Sequence, residues 1–266
     1  KQTKQVVEEK RFTATSKIDS TYIKCVNGRD FHRYIFLSEP SMYLSYGKWL
    51  AEPRESAPFF EDEKIILRQT SDSLIATIDT NKYINLNNVY NVGSINRKFN
   101  VRYILALLNS KLLNYIYQSI AQEKGRLFAE VKKVYLGKLP IKDCELTKQK
   151  EFVVKTNLII DGNIQLSLKR SKFLRILQTN FEGIKITGAL QVFDEKEFSD
   201  FISELKKQKI TLTPRQQDEW DEYFNDYKRQ CNELSAQISS TDKEIDRMVY
   251  ALYDLTDEEI DIVEGR

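Results

Sequence analysis

Basic side chains that could hold a nucleic acid are concentrated in the first half of the chain. Residues 1–150 carry 25 Lys and Arg against 16 Asp and Glu, whereas residues 151–266 carry 16 against 23. The formal net charge of +2 therefore hides two oppositely charged halves. Between Lys82 and Lys142 there are eleven cationic side chains and only two acids. In an aromatic-rich chain, such a basic block favours a polyanion as the partner, and nucleic acid is the commonest polyanion.

A DNA interface needs two kinds of side chain, and the first half of the chain offers both. Cations and hydrogen-bond donors hold phosphates, whereas Arg, Lys and other hydrogen-bonding side chains read base edges in the grooves. We predict phosphate contacts from Lys64, Arg68, Gln69, Lys124, Arg126, Lys132 and Lys133. We predict base readers among Arg29, His32, Arg33, Lys48 and Arg54. For any single one of these residues a solvated surface position is an equal alternative, so the prediction depends on their number and clustering.

The residues that most enzymes use for catalysis or metal binding are sparse in this sequence. His32 is the single histidine, which excludes multi-histidine metal sites and leaves at most one histidine base. No Gly-x-Gly occurs, so the glycine turns of dinucleotide and adenosylmethionine sites are missing. The acid-x-Lys pattern within residues 61–64 is of the kind that nucleases use, but we interpret it as a solvated strand entry. We therefore predict no catalytic residue, no metal site and no cofactor in this chain.

The first half of the sequence predicts short strands followed by a helix. Residues 21–37 read as two strands around a turn at 27–30, and residues 38–58, with three of the five prolines, read as a long irregular loop. Strands are predicted at residues 64–70, 74–79 and 88–92, together forming a small mixed sheet. Asn100 is a good N-cap, and apolar residues at helical spacing predict a helix to about residue 119 that packs on this sheet.

The second half predicts long helices. Apolar residues recur near the helical period from residue 147, with Gly162 as a point where the first helix kinks or divides. Thr213, Pro214 and Gln216 form a capping box that opens the clearest helix. Further capping boxes at Thr241 and Thr256 predict two last helices, whose apolar face we interpret as holding the helical part together. The fold class is α+β: a small mixed sheet with a packed helix, then a predominantly α-helical C-terminal part.

The cellular setting is predicted from two absences in the sequence. No apolar run approaches the roughly 18–20 residues that a membrane-spanning helix needs, so we expect no membrane partner. The cysteines, Cys25, Cys144 and Cys231, are an odd set without metal spacing and suit a reducing, cytoplasmic compartment.

Four phrases, in this order, carry a family resemblance: GRDFHRY at 28–34, EKIILRQTSDSLIATID at 63–79, YILALLNSKLLNYIYQS at 103–119 and KGRLFAEVKKVYLGKLPI at 124–141. At these residues the chain resembles the TaqI-type C-terminal specificity domain. Such domains occur in bacterial adenine-specific DNA methyltransferases and in type IIG restriction-modification enzymes. The segment IDRMVYALYDLTDEEI at 245–260 resembles the closing part of many such polypeptides.

The resemblance implies a target recognition domain that reads a short double-stranded DNA sequence in the major groove. Residues 1–20 would be a lead or linker from a missing N-terminal region, residues 21–145 the α/β recognition module, and residues 146–266 a helical support and tail. The catalytic partner would be an N-terminal methyltransferase region of the same polypeptide. That region would bind S-adenosylmethionine, with magnesium required if the parent enzyme also cleaves DNA.

Two other readings of the sequence remain open. A specificity subunit of a type I restriction-modification system has this kind of module followed by long helices, but it works as a separate chain and usually carries two recognition modules. A protein-binding module could instead use its basic face to bind an acidic partner.

Overall fold

A computed structural model of the chain describes residues 12–50, 52–54, 60, 63–93, 98–122, 125 and 129–266. These residues divide into two compact units. The first unit combines Lys1–Asn157 with Lys243–Arg266, and the second is Leu158–Asp242. The division differs from the predicted one, which placed the boundary at 145–146. The first unit extends to Asn157, and the last 24 residues join it instead of the helical unit.

The described residues confirm the α+β class. The strands are β1 (Thr13–Ala14), β2 (Tyr22–Val26), β3 (Phe31–His32), β4 (Ile35–Phe36), β5 (Met42–Ser45), β6 (Lys64–Arg68), β7 (Ala76–Asp79), β8 (Ile84–Asn85) and β9 (Val89–Val92). The helices are α1 (Val101–Asn109), α2 (Lys111–Ala121), α3 (Lys133–Leu136), α4 (Leu146–Asn180), α5 (Gly188–Gln191), α6 (Phe198–Lys207), α7 (Pro214–Leu252) and α8 (Asp257–Glu264). No helix in the described ranges is both long and apolar enough to span a membrane.

The first sheet has the strand order β1-β5-β2-β8. Its β2–β8 pair is parallel and its other pairs are antiparallel, so this sheet is mixed. The mixed sheet was predicted for residues 64–70, 74–79 and 88–92, whose strands pair antiparallel in the second sheet instead. Cys25, Leu44 and Ile84 form the buried core of this sheet. Strand β5 lies within the segment that we predicted as an irregular loop, and this prediction was wrong. Four residues are too few for a periodic signal, and the strand is fixed by pairing with β1 and β2 on its two sides.

The second sheet has the order β7-β6-β9, with β6 pairing antiparallel to both neighbours. Ile65, Ile66 and Leu67 of β6 have no exposed surface, so the central strand forms the core of the sheet. Strands β3 and β4 form a separate hairpin, in which Tyr34 takes a left-handed conformation with φ of 64°. The two strands predicted around residues 27–30 therefore do not pair with each other.

Helix α1 packs on the second sheet, as predicted. The Asn109 side chain bonds both backbone groups of Ala76: Nδ2 donates to the carbonyl at 3.0 Å, and Oδ1 accepts from the amide at 3.1 Å. The single helix predicted to residue 119 is interrupted at Ser110, whose ψ of 153° is extended. The Ser110 side chain then caps α2 by accepting from the amide of Leu113.

The C-terminal segment attaches to α2. The Asp246 carboxylate, which is almost fully buried, accepts the backbone N–H of Lys111 at 2.9 Å. Glu264 pairs with the Lys111 ammonium at 2.6 Å and accepts from the Tyr250 hydroxyl at 2.8 Å. We interpreted this segment as holding the helical part together, but the structure bonds it to α2 within the first unit.

The caps of α7 and α8 are confirmed at Thr213 and Thr256, which bond Gln216 and Glu259. The predicted helix start at Thr241 was wrong, because α7 continues through it and the Thr241 hydroxyl donates to the Gln237 carbonyl within the helix.

The second unit has an aromatic core around Phe173, which stacks on Phe193 at a centroid distance of 3.8 Å. Asp194 is buried beside it and receives two hydrogen bonds from Arg170. Helix α4 runs through Gly162 without a break. A Cβ at Gly162 would lie 2.9 Å from Ile238 Cγ1, so this glycine permits the close approach of α7.

We expect Asp246→Ala to lower the free energy of unfolding by about 1–3 kcal/mol, because it removes a buried acceptor from the N-terminus of α2. Denaturant unfolding of the full chain measures the change. Glu222→Ala, which removes an exposed acid from α7, is the control and should change stability little. Equal effects of the two substitutions would contradict the assigned capping role.

Candidate nucleic-acid interface

Three segments meet at the C-terminal end of β6. The Gln69 amide donates to the Asn88 carbonyl at 3.0 Å, and the Gln69 carbonyl accepts from the Val131 amide at 2.6 Å. One residue earlier, the Arg68 guanidinium donates to the Phe31 carbonyl. The turn at residues 28–33, the turn before β9 and the segment before α3 are thus all attached to the C-terminal end of β6.

The turn at residues 28–33 is closed by local hydrogen bonds. Gly28–Asp30 is a 3₁₀ turn, in which the Asp30 amide donates to the Asn27 carbonyl and the Asp30 carboxylate accepts from the Asn27 amide at 2.7 Å. The Leu37 amide donates to the Asp30 carbonyl at 2.9 Å, which fixes the far side of the hairpin. With Phe31 buried between them, Arg29 and His32 are exposed.

Arg68 lies against this turn. A Cβ at Gly28 would lie 3.0 Å from Arg68 Cγ, so the arginine stem occupies the space beside the glycine. The guanidinium carbon lies 5.8 Å from the centre of the Phe31 ring, within the range of a cation–π contact. Burial lowers the pKa of Arg68, although arginine stays charged in proteins.

The pKa of His32 is lowered from its ordinary value of 6.5. Although His32 as a whole residue is exposed, partial burial of its ring is the main cause of the lower pKa, and the positive charges of Arg68 and Arg33 add to it. At neutral pH the ring is therefore mainly in its uncharged form, in which one nitrogen donates a hydrogen bond and the other accepts. Both functions are useful for reading a base edge.

Two tyrosine hydroxyls fix the segment that precedes α3. The Tyr117 hydroxyl accepts from the Lys132 amide at 2.9 Å and donates to the Glu130 carbonyl at 3.3 Å. The Tyr90 hydroxyl donates to the Val131 carbonyl at 3.0 Å. Val131 is fully buried, and the next two side chains, Lys132 and Lys133, are exposed.

The structure separates the predicted phosphate ligands. Lys64 is fully buried and its ammonium pairs with the equally buried Asp79 at 2.7 Å, so a phosphate contact by Lys64 is excluded and the prediction is corrected.

The other predicted phosphate ligands differ in their surroundings. Arg68 is half-buried against the turn at residues 28–33. Gln69 follows a central strand and not a sheet edge, and its backbone groups are already bonded. Lys124 and Arg126 lie outside the described residues. Contacts from Lys132 and Lys133 stay predictions that their exposure allows.

The predicted base readers lie in two places. Arg29, His32 and the half-buried Arg33 belong to the turn that follows β2. Exposed Lys48 and Arg54 follow β5, whose Ser45 pairs with Tyr22 at the opposite end of β2. A five-residue strand spans about 13–16 Å, so the structure does not bring the two groups together.

The basic block is partly neutralised by carboxylates. Of the eight cations of this block that the structure describes, four pair with described carboxylates, namely Lys98 with Asp143, Arg102 with Glu63, Lys111 with Glu264, and Lys142 with Asp254. Lys133 and Lys138 pair with no carboxylate in the described part of the chain. The positive charge that is available to attract a polyanion is therefore smaller than the number of cations suggests.

Sequence reasoning missed the residues that position the interface. Tyr90 and Tyr117 looked like ordinary core positions, because a hydroxyl partner is invisible in an apolar repeat. The junction made by the Gln69 backbone had no sequence signal, since backbone hydrogen bonds do not depend on the side chain.

Comparison with known families agrees with the resemblance. Residues 23–141 match the TaqI-like C-terminal specificity domain. This match covers β2 to α3, including the turn and the segment before α3, and it is to a specificity domain and not to a catalytic one. Residues 145–249 match a domain of unknown function (DUF8810). No curated protein matches the chain.

Substitution of Lys64 separates its structural role from DNA contact. We expect Lys64→Met to lower the free energy of unfolding by about 3–5 kcal/mol, because Asp79 is left buried without a counter-charge. The double variant Lys64→Met with Asp79→Asn removes both charges and should recover much of this loss, as denaturant unfolding will show. A stable double variant that binds duplex DNA tenfold more weakly would restore Lys64 as a ligand.

The single histidine permits a direct test of the turn's electrostatics. In a proton NMR titration we expect the His32 ring to have a midpoint below 6.5, and Arg68→Ala to raise it by removing a positive charge. Because the unfolded chain binds this proton more readily, the histidine's contribution makes the free energy of unfolding decrease as the pH falls below about 6.5. Lys48→Ala should leave the midpoint unchanged. A wild-type midpoint at or above 6.5 would be inconsistent with the assigned environment.

Proposed function

We propose that residues 23–141 recognise a short sequence in double-stranded DNA. The observation that carries this proposal is the junction at the end of β6. It attaches the exposed Arg29 and His32 to the same strand end as the exposed Lys132 and Lys133. The match of this part of the chain to a specificity domain supports the same conclusion.

The two attached segments have complementary roles in the proposal. Lys132 and Lys133 contact phosphates and set the register of the module on the duplex, with Lys124 and Arg126 of the same sequence segment as further phosphate ligands. Arg29 reads a base edge, for which a guanidinium bonded to guanine O6 and N7 is the commonest specific contact. Neutral His32 and Arg33 contribute neighbouring contacts. Lys48 and Arg54 contact the duplex at a separate position.

The proposal extends to the polypeptide in which such a module works. We infer that this is the specificity region of a bacterial adenine-specific DNA methyltransferase or type IIG restriction-modification enzyme. An N-terminal methyltransferase region of the same polypeptide would bind S-adenosylmethionine, and magnesium would serve a cleavage activity. The division is physically sensible, since extruding a base costs a few kcal/mol and needs a register already fixed by another part of the protein. Methyl transfer from labelled S-adenosylmethionine to adenine in duplex DNA, by the whole polypeptide, tests this extension.

A type I specificity subunit is a second candidate. The 35 residues of α4 and 39 residues of α7 favour it, because such subunits carry long helices after the recognition module. Finding a second recognition module in the same polypeptide would distinguish this candidate from the first.

The salt dependence of binding tests the phosphate contacts. If four cations neutralise phosphates, log affinity should fall against log salt with a slope of about −3.6. The double variant Lys132→Ala with Lys133→Ala should reduce the slope by about two and weaken binding to all duplexes alike. Lys172→Ala with Lys206→Ala removes two exposed lysines from the second unit and serves as the control. A wild-type affinity that does not change with salt would count against DNA binding.

Arg29→Ala tests base reading. We expect it to relax the preference at one base pair by about 1–3 kcal/mol while the salt slope stays the same. Binding to single-base variants of the preferred duplex measures this, and Arg175→Ala, at an exposed position of α4, is the matched control. A uniform loss of affinity across all duplexes would assign Arg29 to phosphate instead.

A further inference from the structure

We propose that Arg68 is a positioning residue that fixes the turn at residues 28–33, so that the base selectivity of Arg29 and His32 depends on it. This inference rests on the proposed DNA recognition. It assigns Arg68 a role different from the phosphate contact that the sequence suggested.

Three contacts hold the turn to Arg68. The stem lies where any side chain at Gly28 would intrude, and the closest atom is Cγ in the middle of the stem, which cannot move aside as freely as a side-chain end. The guanidinium donates to the Phe31 carbonyl and lies against the Phe31 ring. Arg68 therefore contacts the turn at Gly28, its first residue, and again at Phe31, which directly precedes His32.

The strand that carries Arg68 is a rigid base for this contact. The Arg68 amide donates to the Ile75 carbonyl at 3.0 Å, and the residue lies opposite Val89 of β9. The three residues before it are fully buried. A displacement of Arg68 would therefore require disruption of pairing on both sides of a central strand.

The next residue extends the arrangement to the phosphate-binding segment. Gln69 holds the Val131 amide through its carbonyl, and Val131 is followed directly by Lys132 and Lys133. The last residue of β6 and the residue that follows it thus fix both the turn that presents base readers and the segment that presents phosphate ligands. The spacing between these two groups is set by the Arg68–Gln69 pair, which is what a module needs to read bases in a fixed register.

The arrangement of Arg68 disfavours a direct phosphate contact. Its side chain is half-buried, its Nη2 is already used on the Phe31 carbonyl, and its Nε is shielded from solvent, where a phosphate would have to approach. A phosphate ligand would instead extend its guanidinium into solvent, as exposed Lys133 extends its ammonium.

The experiment uses the full chain and three variants, Arg68→Ala, Arg68→Lys and Gly28→Ala. Hydrogen exchange at the amides of Asp30 and Leu37, measured without DNA, reports the closure of the turn. The selectivity ratio compares a duplex selected by the wild type from a randomised library with a scrambled duplex of the same composition. The salt slope reports the number of phosphate contacts, and Lys133→Ala is the control for that number.

We expect Arg68→Ala to speed exchange at both amides, to lower the selectivity ratio at least tenfold and to leave the salt slope unchanged. Gly28→Ala should act in the same direction by displacing the stem, and the two substitutions together should be less than additive because they break the same contact. Arg68→Lys keeps most of the aliphatic stem but lacks the planar guanidinium. Its exchange rates and selectivity ratio should therefore lie between those of the wild type and of Arg68→Ala. If Arg68→Ala unfolds the chain, the other two variants still test the proposal.

Two results would overturn the proposal. One is unchanged exchange at Asp30 and Leu37 in Arg68→Ala. The other is an equal loss of affinity for both duplexes with a salt slope reduced by about one, as Lys133→Ala should show, which would make Arg68 a phosphate ligand. A wild-type chain without any duplex preference would instead overturn the proposed function, and the exchange data would then decide separately whether Arg68 fixes the turn.

Discussion

Backbone pairing on both sides of β6 is the constraint on which the first unit depends. A central strand has its amides and carbonyls bonded to two neighbours, so its position is fixed more strongly than that of any edge strand. At one end of β6, the buried pair of Lys64 and Asp79 joins it to β7. At the other end, Arg68 and Gln69 attach segments that are distant in sequence. The strand is thus both the core of the sheet and the reference point for the exposed side chains.

The attraction of this protein for a polyanion depends more on where its basic side chains lie than on how many there are. Several cations of the basic block are bonded to carboxylates, two of which lie in the last 24 residues of the chain. These surface pairs contribute little to stability individually, but each reduces the field available to a polyanion. Arg29, Lys132 and Lys133 are exposed and lie on segments that buried groups attach to the end of β6. A DNA interface there would combine a local positive field with a fixed geometry.

The C-terminal segment shows how distant parts of the chain complete the module. The amides at the start of α2 need acceptors, and Ser110 supplies one from the adjacent residue. Asp246, 135 residues away, supplies another through a buried carboxylate, where the helix dipole also favours a negative charge. Tyr253 reaches the same module by donating its hydroxyl to the Pro140 carbonyl. The first unit is therefore assembled from two segments that lie far apart in the sequence.

The sequence by itself determined the α+β class, the positions of β6, β7 and β9, and the caps at Asn100, Thr213 and Thr256. These features depend on residues close in the chain, where periodicity and side-chain hydrogen bonds act locally. The sequence also identified the turn and the segment with Lys132 and Lys133 as candidate parts of an interface, through their composition and the family resemblance.

Only the tertiary structure decided which candidates share a surface. It buried Lys64 against Asp79, placed Arg68 under the turn, and put Lys48 and Arg54 at the other end of β2. It also contains strand β5 within the segment that we predicted as a loop. The physical reason is common to these cases: burial, strand pairing and counter-charges come from residues far away in sequence, and a local pattern contains no information about which distant groups will meet it.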